Sequence, residues 1–407
     1  MKKYICISVM LFAAFLAFGQ DFQVAESTHY KVFIEGNIEQ GKTIAAGMDA
    51  FFDLYNSFFH FDTSKLPTKL KVRIFKDKAG FDAYLTKIIS QTADSFVYLQ
   101  YSNPEKSELV GFMQEERAFQ TSLIHHGSIQ FLKTFIANPP LWLQKGIAVY
   151  FEASSYDVEK GIAVYKKNLN WVDTFKKLLA EESTASGSSQ LFPLSTLLSI
   201  DVATANTKID AFYAQSWGLV SFLIESDKKE YNRILWDSIS SLKPEASKRD
   251  NEIALINNVY RWIDTDIFVK DFENYIKSLK TFPDLVEEGM AYYSQGDLDA
   301  AEKSFQKALE LESGYYIPYY YLGLISYARK DFPMAEYYYH TAIQMGGDAG
   351  LSYYALGVNA YADSRFEDAI FYLAQAKEID PTGYGVRATN LLSRIQKEQA
   401  EKSSGKM

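Results

Sequence analysis

The fold turns on residues 121–152, TSLIHHGSIQFLKTFIANPPLWLQKGIAVYFE. The stretch begins inside a helix predicted over 116–137 and stopped by Asn138-Pro139-Pro140, because proline lacks the amide donor a helix needs. Two adjacent histidines, His125 and His126, sit on that helix. One turn beyond His125 stands Ile129, and the segment after the proline pair carries Lys145. Side chains four apart on a helix share a face. Residues 125 and 129 therefore decide whether the helix can grip a metal ion.

Upstream, residues 29–36 (HYKVFIEG) are rich in β-branched and aromatic side chains and read as a strand. Residues 38–59 carry apolar residues at three- and four-residue steps, from Ile44 to Phe58, and read as a helix. Residues 69–75 (KLKVRIF) alternate as a half-buried strand, and a short helix follows at AGFDAYLTKI. Residues 95–113 read as a hairpin around SNPEKSE. This order predicts an α+β domain. From 141 onward the chain reads as helical, with helices near 208–226, 228–242, 250–260 and 264–280 and a loop at TASGSS, 184–189.

A period of 34 governs residues 282–383. Gly289, Gly323 and Gly357 keep it, as do Ala301, Ala335 and Ala369; Phe305, Tyr339 and Leu373; and Ala308, Ala342 and Ala376. Four columns in register across three copies resemble three tetratricopeptide repeats, each a helix pair, which implies an all-α solenoid. Residues 384–399 read as a helix capping the last repeat.

The segment 121–152 resembles the peptidase MA-like gluzincins. That family's pattern runs His-Glu-x-x-His-Gln, a proline-led Trp-Leu, then Glu-Gly-Leu-Ala and Tyr. Here stand His125-His126-Gly127-Ser128-Ile129-Gln130, then Pro140-Leu141-Trp142-Leu143, then Lys145-Gly146-Ile147-Ala148 and Tyr150. YAQSWGLVSFLI (213–224) is similar to the family's later helix behind the active site. The resemblance spans about residues 25–280 and implies a zincin-like fold. It places zinc ligands at 125, 129 and 145 and a general base at 126. Only His125 has the required chemistry. Isoleucine has no lone pair, and a lysine ammonium repels the ion. The resemblance thus implies a pseudopeptidase with no catalytic residue, no metal and no cofactor. His126 is expected to face outward or the cleft rim. Lys145 is expected either to fill the space of the lost cation beside a buried carboxylate or a helix C-terminus, or to reach solvent.

The repeat resemblance implies a concave groove lined by the first helix of each pair. Its positions fall on Val286, Met290 and Tyr293; Ile317, Tyr320, Leu324 and Tyr327; and Leu351, Tyr354, Val358 and Tyr361. That surface is aromatic and apolar, and it suits a protein or peptide partner. Two other readings remain open: a peptidase with an atypical zinc site that uses His125, and an interaction protein whose front domain is only structural.

Net charge is −9 over 407 residues, which argues against nucleic acid and anionic membrane as partners. The N-terminus, MKKYICISVMLFAAFLAFGQ, has two lysines before a short apolar run that ends in small residues. It reads as a secretory signal peptide cleaved near Gly19, rather than an anchor. Cys6, the only cysteine, lies within it, so the mature chain has no thiol. The expectation is an exported, periplasmic protein without a stable membrane span.

Overall fold

Tyr30, Val32 and Ile34 alternate with half-buried neighbours and are themselves fully buried, which fixes β2 (Tyr30–Glu35) as a strand with one face in the core. The computed structural model describes residues 22–184 and 190–403, so the signal peptide and most of the TASGSS loop lie outside the described residues. The chain divides into two compact units between Ile276 and Lys277.

In the first unit, β1 (Phe22–Glu26) runs antiparallel to β2, with Val24 opposite Phe33. The helix α1 (Ile38–Phe59) then carries the chain over to β3 (Leu70–Phe75), parallel to β2 with Val32 opposite Val72. After α2 (Lys78–Ile89) come β4 (Val97–Leu99) and β5 (Glu108–Phe112), which form the expected hairpin. β5 runs parallel to β3, giving the sheet order β1-β2-β3-β5-β4 with β4 at an edge. One sheet face meets α2 through Phe75, Phe81, Leu85, Val110 and Phe112. β1 was not anticipated, because it is an edge strand in which only Ala25 is buried.

The two helices of the decisive stretch are α3 (Glu116–Phe135) and α4 (Leu141–Phe151). Phe131 of α3 meets Phe52 of α1 at 5.0 Å, and Phe151 of α4 meets Tyr55 at 5.0 Å, both edge-on. A small hairpin, β6 (Ser155–Asp157) and β7 (Ile162–Val164), follows. Then come α5 (Val172–Thr184), α6 (Leu194–Leu198), α7 (Val202–Asn206), α8 (Ile209–Glu225), α9 (Lys229–Ser241), α10 (Lys248–Asn258) and α11 (Thr265–Ser278). Gly146 lets α4 and α8 touch backbone to backbone. A Cβ there would stand 2.3 Å from the Ser216 carbonyl oxygen.

The second unit is a run of helix pairs: α12 (Phe282–Gln295) with α13 (Leu298–Leu311), α14 (Tyr316–Ala328) with α15 (Phe332–Gln344), and α16 (Ala349–Ala362) with α17 (Phe366–Ile379). The 34-residue columns are its packing rule. Gly289, Gly323 and Gly357 each lie against the residue sixteen ahead, so an added Cβ would come within 2.7 Å of Phe305, 2.5 Å of Tyr339 and 2.6 Å of Leu373. The alanine columns are fully buried. The last helix, α18 (Pro381–Ser403), is longer than the 384–399 expected. Ala388 and Ile395 of α18 join Ala360, Ala369 and Leu373 in one core. The chain thus has an N-terminal α/β unit followed by an all-α solenoid of tetratricopeptide type.

Candidate functional site

Three contacts hold α3 in place. The Glu115 carboxylate accepts from the amides of Arg117 and Ala118 and caps its start. Tyr55 Oη donates to the Ile124 carbonyl at 3.0 Å, and Gln130 Nε2 donates to the Lys71 carbonyl at 2.9 Å. The helix is therefore tied to α1 and to β3 around the residues in question.

His125 lies close to Glu152, the residue that ends α4, with Nδ1 3.0 Å from Oε2. Asn168 fixes the other carboxylate oxygen by donating to Oε1 at 3.0 Å, and it also donates to the Val149 carbonyl at 2.7 Å. The carboxylate dictates that Nδ1 carries the proton. Glu152 and Asn168 were not found from the sequence; no spacing marks them, because the chain brings them together only through the turn after α4.

His126 does not sit free at a rim. Its Nδ1 donates to the Ser122 carbonyl at 3.0 Å, and its ring lies 4.8 Å from that of His125. Burial, then the neighbouring His125, push its pKa down to about 3, with Lys145 adding to the effect. It is a neutral imidazole at pH 7.

Ile129 is buried, 5% exposed. Lys145 is half-buried and finds no carboxylate: among the described residues it makes neither an ion pair nor a hydrogen bond. Of the placements expected for it, pairing with a buried carboxylate is not the one the structure shows. Burial and then the like charge of Lys133 hold its pKa below the usual lysine range. Burial lowers Lys133 as well. The residues at 125, 126, 129 and 145 do not fit zinc. His125 and His126 are held through Nδ1 and each keeps an Nε2 lone pair, but position 129 offers only a hydrocarbon and position 145 an ammonium. Among the described residues no three His, Cys, Asp or Glu side chains group so as to hold a metal ion.

In the second unit the first helices bring tyrosines together. Burial and then the hydroxyls of Tyr384 and Tyr293 push the Tyr320 phenol up to about 12. Tyr354 stacks on Tyr384 at 5.4 Å, which adds an α18 residue that the sequence reading had not placed in the groove. Met290 is 40% exposed, and Tyr293, Tyr320, Leu324, Tyr327 and Tyr354 are half-buried. Two expected groove residues are otherwise engaged. Val286 is a core residue, and Tyr361 donates to Glu398 Oε1 at 2.6 Å beneath α18.

Residues 124–245 match a family described as a protein of unknown function, DUF1570, and residues 283–315 match the tetratricopeptide repeat. No curated protein matches the chain. Solved structures that share similarity include the first TPR of Spaghetti (RPAP3) bound to the HSP90 peptide SRMEEVD. That chain is 22% identical with a TM-score of 0.28, covering 30% of this chain and 94% of that one. The NMR structure of the first TPR domain of human RPAP3 gives the same identity and score, covering 30% of this chain and 96% of that one. The chain is thus a two-unit protein whose second unit repeats a helix pair, the first pair matching the tetratricopeptide-repeat model. No helix among the described residues is long and apolar enough to cross a membrane.

Proposed function

We propose that this is an exported, periplasmic, catalytically inactive gluzincin-like protein that binds protein or peptide partners through its repeats. The first unit, about residues 25–280, is on this reading a peptidase scaffold that has lost its metal. The repeats at 282–383 are its recognition surface. The observation that carries the proposal is the chemistry at the ligand positions: buried Ile129 and half-buried Lys145 stand where donors are required. The groove tyrosines Tyr293, Tyr320 and Tyr354 supply flat, amphipathic area suited to a partner helix or strand.

Metal analysis of the purified mature protein tests the first half. The expected result is no stoichiometric zinc; zinc that is bound one-to-one and lost in His125→Ala would overturn the reading. The scaffold alignment has its own test. His126→Glu, Ile129→His and Lys145→Glu together should create zinc affinity, and failure to bind would show that the helices are misaligned with the family. For the second half, Tyr320→Ala with Tyr354→Ala should abolish partner capture, and capture that survives would place recognition elsewhere.

A further inference from the structure

Lys133 stands three residues after Gln130 on α3, so the two side chains share a face. Both line a cleft of about 380 Å³ together with Tyr98, Gln100, Thr134 and Asn138. Lys133 is half-buried and, among the described residues, makes no ion pair and no hydrogen bond. Glu245 shares the rim of the cleft but is exposed and makes no ion pair with it. Lys145 stands near enough for the two ammonium charges to repel each other. The cleft wall has a further unmet demand. Gln130 is 1% exposed, its Nε2 is spent on Lys71, and its Oε1 is buried and accepts from nothing.

An uncompensated half-buried ammonium favours an anion, and an orphaned amide oxygen favours an N–H donor. A simple anion meets only the first need. The end of a peptide meets both, since its carboxylate and its last amide N–H lie within a few bonds of each other. The volume is in the range of small-ligand sites.

We propose that this cleft takes the carboxyl terminus of a peptide, with the carboxylate on Lys133 and a backbone N–H on the Gln130 side. The assignment does not depend on the peptidase resemblance, because it uses neither His125 nor Ile129.

The test compares N-acetyl-Ala-Ala-Ala as free acid with its carboxyl-terminal amide, titrated against the full-length mature protein by ligand-observed NMR. The acid should bind at least about tenfold more tightly than the amide, the scale of one charge-assisted hydrogen bond. Lys133→Met should erase that difference, and Tyr320→Ala, in the other unit, should preserve it. Equal binding of acid and amide by the unmodified protein overturns the proposal, and this arm needs no variant to fold. So does a preference that survives Lys133→Met but disappears with Tyr320→Ala, or inorganic phosphate binding as tightly as the peptide acid.

Discussion

His125 and Glu152 form a hydrogen-bonded pair at 3.0 Å, joining the middle of α3 to the end of α4. The carboxylate fixes the orientation of the imidazole through Nδ1 and leaves Nε2 free, and Asn168 holds that carboxylate from the other side. Removing it by Glu152→Ala leaves two donors without an acceptor. The expected loss is about 1–3 kcal/mol. Urea unfolding of the full chain, followed by tryptophan fluorescence, checks it; Glu152→Gln, which keeps an acceptor, should lose less.

His126 links stability to acid. Its folded pKa is about 3, against an ordinary 6.5. Between those values the unfolded chain binds a proton that the folded chain refuses, so stability rises with pH. The contribution is complete above about 6.5 and is lost as pH falls toward 3. His126→Gln should therefore show a shallower decline in Tm on acidification from neutral pH to about 4. An unchanged slope would mean that the imidazole is not excluded from water.

Lys145 has the opposite value to the fold. Its ammonium is desolvated and repelled by Lys133. Lys145→Met, of similar length and no charge, should stabilise the protein by about 1 kcal/mol at neutral pH. The folded pKa lies below the ordinary 10.5, so the penalty is present at low and neutral pH and fades as pH rises toward 10.5. The gain from the substitution should vanish there. A lower Tm for Lys145→Met at pH 7 would reveal a stabilising partner.

Gly323 lies under the Tyr339 ring, where a Cβ would come within 2.5 Å. Gly323→Ala should displace the ring and cost about 1–3 kcal/mol through overpacking. The same change at Gly314, where a Cβ meets nothing within 4 Å, should cost far less. Comparing the two thermal midpoints separates a packing glycine from an ordinary one.

The repeat was legible because its signal is periodic. A column such as Ala301, Ala335 and Ala369 reports a burial requirement three times over, and all three are fully buried. α1 and α8 were legible because they are long, and α3 because Asn138-Pro139-Pro140 ends it. What stayed hidden depends on tertiary neighbours. β1 and the β6–β7 hairpin carry too few buried residues to leave a pattern. Glu152 and Lys133 look like ordinary surface charges in the sequence; only the packing of α3 near α4 shows that one is held and the other is left alone. Helix geometry placed His126 outward or at the cleft rim; what it could not show is that Nδ1 is held by the Ser122 carbonyl one turn back on the same helix.

The outward side of α18 has its own consequence. Beneath it lie Ala388 and Ile395, while Arg387, Asn390, Ser393, Arg394 and Lys397 face water. Apart from the exposed Val386, a neighbouring molecule approaching that end would meet guanidinium and ammonium groups whose hydration it would have to strip. Stacking of a second copy head-to-tail on this helix is made costly by those charges.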